Sequence, residues 1–238
     1  MDIIYLSYGD DVKNHYRTYY SILTFQNNNL SFNGKIKIFT TDEGFYEALP
    51  KVDICKFDGI RVQDDIKKYG FFHFFKLDLL RSQKDTFMFV DSDTFFLSDI
   101  SDLLDNIQPG HAVMFQKEYL LKENPFYRVY LDGIHHLIQP DTVMYNSGVI
   151  GIHKKDIPLI GDALPITRNI LDKKKVHTAE QLALSAVLQK RLKITEACRH
   201  MIHYWNRKDY YDPKIKKIVD QHKQQDNREN NIEKEKNK

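Results

Sequence analysis

Runs of apolar residues separated by polar turns set the pattern of the chain. Ile3-Ile4-Tyr5-Leu6-Ser7-Tyr8 predicts a buried strand, ended by the turn Gly9-Asp10-Asp11. Val12, Tyr16, Tyr19, Tyr20 and Leu23 recur at helical spacing, and Asn27-Asn28-Asn29 closes that helix. Lys35-Ile36-Lys37-Ile38-Phe39-Thr40 alternates as a strand does. Thr41-Asp42-Glu43 opens a short helix that Pro50 ends, and Val52-Asp53-Ile54-Cys55-Lys56-Phe57 is a third strand. Strand, helix, strand, helix, strand within about 60 residues is the βαβ pattern of a parallel sheet. The predicted fold class is α/β, a mixed and mainly parallel central sheet flanked by helices in one domain.

Further along, residues 71–82 predict a very apolar helix whose Phe72, Phe75 and Leu79 share a face that packs on the sheet. Phe87-Met88-Phe89-Val90 reads as a strand buried on both faces. Ser98-Asp99-Ile100-Ser101-Asp102-Leu103-Leu104 looks like a capped helical turn closed by Pro109-Gly110, and Ala112-Val113-Met114-Phe115 like another strand. Residues 116–139 lack periodicity, and an irregular stretch of that length inside a compact domain is usually functional. His135-His136 falls there, but adjacent residues of a strand face opposite ways, which argues against a metal pair. Residues 143–152 are strand-like but broken by Asn146-Ser147-Gly148. Thr178-Ala179-Glu180-Gln181 opens a helix carrying Leu184, Val187 and Leu188 in the form of a capping box. Leu192-Lys193-Ile194-Thr195 is a late strand, and Met201-Ile202-His203-Tyr204-Trp205-Asn206-Arg207-Lys208 follows.

The chemistry concentrates where the buried strand ends, at Asp91-Ser92-Asp93. Two carboxylates cannot stay inside an apolar sheet without partners, so they belong at the strand end, where ligands bind in open α/β sheets. Both can converge there on one hard cation, Mg²⁺ or Mn²⁺, that also takes oxygens from a diphosphate. An ordinary turn and helix cap would use the same residue types. Lys76, one turn after Phe72, either reaches an anion or extends past the apolar surface to water. Asn146 offers an amide at a break that small residues open, or marks a β-bulge. Glu180 and Gln181 suit the start of a helix without any chemistry. His203, followed by the only Trp and two cations, either completes a site for an anionic ligand or is structural.

Composition narrows the class. The 238 residues, 42% hydrophobic and 13% aromatic, are enough to bury a sizeable core. No apolar run approaches the ~20 residues of a membrane span. Asp2 stands where a signal peptide would carry positive charge. Cys55 and Cys198 are too few for a disulfide framework, so the expected setting is reducing and cytoplasmic. The net charge of +2 is uneven: residues 214–238 hold eight Lys/Arg against five Asp/Glu, or +3, which leaves about −1 for the rest. That body has no excess of positive charge for binding nucleic acid. The stretch from 213 to 238 is expected to be a disordered charged tail. Ile215, Ile218 and Val219 with their Lys flanks give it a weak membrane-surface character.

Taken together, these motifs resemble the nucleotide-sugar glycosyltransferases of GT-A fold, closest to the family that includes glycogenin and the bacterial lipopolysaccharide galactosyltransferases. The resemblance runs from Ile3 to about Lys208. It implies a domain over residues 1–212, with 1–110 as nucleotide-binding half and 111–212 as sugar and acceptor half. It implies that Ser7, Tyr8 and Asp10 hold the nucleoside and that Lys76 lies near the diphosphate. Asp91, Ser92 and Asp93 match the metal-binding Asp-x-Asp, and His203 the third metal ligand. Asn146 matches the strand beside the sugar. Glu180-Gln181 matches an Asp-Gln pair near the transferred sugar, with Glu in place of Asp. The late motif departs from the family, which has Gly and then Lys-Pro-Trp after the His; here Tyr204-Trp205-Asn206-Arg207-Lys208 leaves Arg207 or Lys208 to meet the diphosphate. The implied activity is metal-dependent transfer of a sugar from a nucleotide donor, UDP-linked by resemblance, to a glycan or other hydroxyl acceptor. A binding protein without turnover would carry the same residues. A phosphatase of the haloacid dehalogenase type also uses Asp-x-Asp, but wants Thr or Val where Phe95 stands.

Overall fold

The computed structural model describes residues 1–57, 60–125 and 138–236. His135-His136 lies outside them. The eleven strands among the described residues are β1 (Asp2–Ser7), β2 (Lys35–Thr40), β3 (Val52–Lys56), β4 (Phe87–Val90), β5 (Thr94–Phe96), β6 (His111–Met114), β7 (Lys117–Leu120), β8 (Val143–Tyr145), β9 (Val149–Ile152), β10 (Lys193–Glu196) and β11 (Met201–His203). The α-helices are α1 (Val12–Asn28), α2 (Gln63–Tyr69), α3 (His73–Ser82), α4 (Ser101–Asp105), α5 (Pro158–Lys173), α6 (Ala179–Leu188) and α7 (Lys208–Lys236). Seven strands form a mainly parallel sheet in the order β10-β6-β9-β4-β1-β2-β3, the α/β class that the sequence predicts.

The chain divides into two compact units built from interleaved segments. The first takes residues 1–2, 58–89 and 101–199. In it β10 runs parallel to β6, with Lys193 opposite His111, and β6 runs antiparallel to β9. Gly151 sits in β9 because a Cβ there would meet Ile107 Cδ1 at 2.6 Å. The interrupted strand becomes two: β9 joins the large sheet, while β8 pairs with β7 in a separate antiparallel ladder. Residues 117–123, expected to be irregular, are therefore a strand and a 3-10 turn.

Helix α3 begins at His73 rather than at residue 71. Gly70, at φ 74°, ends α2 in the left-handed conformation that glycine adopts without strain, so Phe71 and Phe72 become the link. Phe72 is consequently 54% exposed and does not pack on the sheet. Helix α5 has no counterpart in the predicted elements. Pro165 and Gly161 disguise a buried stripe of Ile160, Ala163, Leu164, Thr167, Ile170 and Leu171.

The second unit takes residues 3–57, 90–100 and 200–238. Strands β2 and β3 pair in parallel, Ile36 opposite Val52. The Asp11 carboxylate caps α1, accepting from the Lys13 N–H at 3.0 Å. Lys208–Lys236 is helical, not disordered. Ile215 and Val219, one turn apart, are 2% and 0% exposed. Helix α7 is tied to α1 by Tyr16 to Asp220 at 2.7 Å, Arg17 to Asp212 at 2.8 Å and Tyr19 to His222 at 3.0 Å. Burial of Ile215 and Val219 takes away most of the apolar face proposed for a membrane surface, leaving Ile218, at 41% exposed. No helix of the described residues is long and apolar enough to cross a membrane.

Candidate functional site

In the second unit, the chain turns after Val90 and re-enters a strand at Thr94, with the Thr94 N–H on the Asp91 carbonyl at 3.2 Å. Ser92 occupies the middle of this turn. β11 pairs antiparallel to β5 with His203 opposite Thr94, and the Tyr204 N–H donates to the Asp93 carbonyl at 2.9 Å. That register delivers the imidazole to the acidic turn: His203 Nε2 is 3.0 Å from Asp93 Oδ1 and 4.0 Å from Asp91 Oδ2. Lys208, the first residue of α7, holds the other Asp93 oxygen at 2.7 Å. Asp93 is 5% exposed, and burial by itself would raise its pKa. The hydrogen bond from His203 and the charges of His203 and Lys208 outweigh burial, holding the carboxyl far below its ordinary value.

One ligand atom from each of Asp91, Asp93 and His203 lies within 4.8 Å of the others. Two carboxylate oxygens and an imidazole nitrogen are a donor set suited to Mn²⁺ or Mg²⁺, so these residues fit the ion that the resemblance implies. The three are brought together as expected. Lys208 joins them, whereas Arg207 is exposed. Behind the turn, the Tyr204 and Thr94 hydroxyls are buried and have no hydrogen-bond partner among the described residues.

The nucleoside residues fare differently. Ser7 is buried, its hydroxyl accepting from the Tyr46 hydroxyl at 2.6 Å and lying 2.9 Å from His15 Nδ1. Its side chain thus ties β1 to α1 inside the unit. Tyr8 is half-buried and tilted on Phe57 at 6.3 Å between ring centroids, and Asp10 is exposed.

In the first unit, a second polar group is buried. Lys76 is 7% exposed; its ammonium donates to the Ser147 carbonyl at 2.6 Å and lies 3.2 Å from Glu180 Oε1. It neither extends to water nor stands open to a diphosphate, because its charge answers that of Glu180. Burial would raise the Glu180 carboxyl, but Lys76, then His73 and the Ser147 hydroxyl, outweigh it and hold the pKa below the ordinary value. A carboxylate so paired is a poor base.

Asn146 and Gln181 are 5% and 8% exposed and meet at Glu118, a residue without any motif to mark it. Asn146 Nδ2 donates to Glu118 Oε1 and Gln181 Nε2 to Glu118 Oε2, each at 3.0 Å. Thr178 makes no side-chain cap, so the expected capping box is absent. The Gln181 amide turns instead to a charged acceptor, which gives the stronger hydrogen bond.

No protein-family model matches the sequence, and no curated protein matches it. Solved structures do match. The galactosyltransferase LgtC, solved in complex with donor and acceptor sugar analogues, has a TM-score of 0.59 and 11% identity over 82% of this chain and 73% of its own. Mouse xyloside xylosyltransferase 1, in its apo form, has a TM-score of 0.54 and 11% identity over 90% of this chain and 92% of its own. The glycosyltransferase GlyE of Streptococcus pneumoniae has a TM-score of 0.52 and 14% identity; the match covers 82% of this chain and 44% of GlyE. At these identities the likeness is one of fold, and the fold of this chain is the GT-A fold of those glycosyltransferases.

Proposed function

We propose that the protein transfers a sugar from a nucleotide-diphosphate sugar, UDP-linked, to a hydroxyl group of a glycan or other acceptor. The observation that carries this is the convergence of Asp91, Asp93 and His203 within 4.8 Å in a chain of glycosyltransferase fold. A divalent cation held by these three would neutralise charge on the leaving diphosphate. Lys208, already 2.7 Å from Asp93, adds a positive charge beside the same carboxylate and is the residue assigned to the phosphates; Arg207 is a second donor on the same turn. Tyr8 offers a ring for the base, and Asp10 an exposed carboxylate for ribose hydroxyls. Asn146 and Gln181 are assigned to the sugar. Glu180 is not assigned a proton, since Lys76 holds it as an ion pair.

Thermal unfolding with UDP, GDP, ADP and CMP, each with Mn²⁺ and with EDTA, tests the reading. A ligand that binds only the folded chain raises the melting temperature by mass action, about 2.7 kcal/mol at a hundredfold excess over its Kd. The expected result is a Mn²⁺-dependent rise with UDP that Asp93→Ala abolishes. No rise with any nucleotide would overturn the proposal. A rise without slow donor hydrolysis would reduce the protein to a nucleotide-sugar binder.

A further inference from the structure

We infer that Glu118 is a positioning residue for sugar transfer, acting through the amides of Asn146 and Gln181; the inference rests on the transferase reading above. The argument begins with hydrogen-bond bookkeeping. A side-chain amide can flip end for end, exchanging a donor for an acceptor, so it recognises a hydroxyl only if something fixes its orientation. Here Glu118 fixes two at once. Each of its carboxylate oxygens accepts from one amide at 3.0 Å, Asn146 on one side and Gln181 on the other. The opposite ends agree with that orientation: Asn146 Oδ1 accepts from the Gly148 N–H at 2.9 Å, and Gln181 Oε1 faces the Ser147 N–H at 3.5 Å.

A carboxylate suits this place. It accepts at both oxygens and donates at neither, so both amide NH₂ groups must point to it. A glutamine would offer one oxygen and one NH₂, and one of the two amides would have to turn over or lose its partner. Glu118 is also the half-buried member of the group, while Asn146, Ser147, Glu180 and Gln181 are all buried. Each carboxylate oxygen has a second lone pair beyond its amide partner, to which a hydroxyl group of a polyol can donate. Glu180, the carboxylate that sequence order makes prominent, is committed instead to Lys76 and to the Ser147 hydroxyl at 2.9 Å. Strand β7 brings Glu118 to this position through its ladder with β8, where Lys117 pairs with Tyr145, the residue before Asn146.

The test compares wild type with Glu118→Gln and Glu118→Asp. UDP-glucose, UDP-galactose and GDP-mannose are the probes, each with Mn²⁺, and nucleotide release by hydrolysis is followed for kcat and KM. A misoriented pair of groups costs up to about 100-fold in rate, so Glu118→Gln should lower kcat by roughly 10- to 100-fold. Its melting temperature and its Mn²⁺-dependent shift with free UDP should stay near those of wild type. Glu118→Asp keeps the charge on a shorter arm and should recover part of the rate. Hydrolysis by Glu118→Gln at the wild-type rate would overturn the role of Glu118 and leave the transferase reading standing. So would a loss of rate accompanied by an equal loss of the UDP shift and of folding. A wild-type chain that neither binds nor consumes any of the three donors would overturn the transferase reading and this role with it.

Discussion

Lys76 and Glu180 form an ion pair at 3.2 Å with both side chains less than a tenth exposed. The pair lies between α3 and α6, with the Ser147 carbonyl and hydroxyl completing the shell around the ammonium. Both residues match positions that the family resemblance gives to substrate, yet each is answered by the other.

Removing one partner leaves a buried charge without compensation, so Lys76→Met should destabilise the fold by about 3–5 kcal/mol. Replacing both, in Lys76→Met with Glu180→Leu, should cost much less than the single change, since no unpaired charge remains. Urea unfolding of the single and double variants measures the difference. Equal stability of wild type and Lys76→Met would show that the pair contributes nothing.

The same pair sets a pH dependence. The folded Glu180 carboxyl titrates below its ordinary value of 4.5. Between the folded value and 4.5 the unfolded chain binds the extra proton, so stability rises with pH across that window. The contribution is fully present above 4.5 and lost as pH falls through the folded value. Melting temperatures of wild type and Glu180→Gln, followed from about pH 3 to 6, should converge toward the acid end. Parallel curves would contradict this.

His203 reaches the acidic turn only through the pairing of β11 with β5. His203→Ala should weaken Mn²⁺ binding by at least the roughly 10- to 100-fold that loss of an outer-shell partner costs. Free Mn²⁺ measured by electron paramagnetic resonance, with no nucleotide present, reads this directly. Unchanged affinity would remove His203 from the ligand set.

Val219 and Ile218 are neighbours on α7 with opposite surroundings, 0% and 41% exposed. Val219→Asp should therefore cost about 3 kcal/mol or more, whereas Ile218→Asp should stay within roughly 0.5 kcal/mol. A disordered tail would respond to neither substitution.

What the sequence made legible was local. The Asp-x-Asp turn could be read because four apolar residues run straight into two carboxylates, and a strand cannot bury them. Helix α1 could be read from its spacing. What stayed hidden depended on partners distant in the chain. Nothing near His203 says that it pairs opposite Thr94, and nothing near Lys76 says that Glu180 will answer it. Glu118 was invisible for the same reason: its role comes from β8 and α6, and its own strand has too few apolar residues to alternate clearly. Helix α5 was masked by a proline, and α7 by charges on the faces it leaves to water. Ile215 and Val219 sit one turn apart and are both buried, a relationship that composition averages away.

The distance along the chain between Asp93 and its two basic neighbours also orders events during synthesis. His203 follows Asp93 by 110 residues, and Lys208 comes five residues later still. At typical rates of translation those residues leave the ribosome on the order of 10 s after the acidic turn. For that interval β5 is without β11, the strand it pairs with in the fold. The emerging chain thus carries a bare strand edge with Phe95 and Phe96 beside a doubly negative loop. Repulsion between the two acids works against early collapse there, and it is relieved when the segment that brings His203 and Lys208 beside Asp93 arrives.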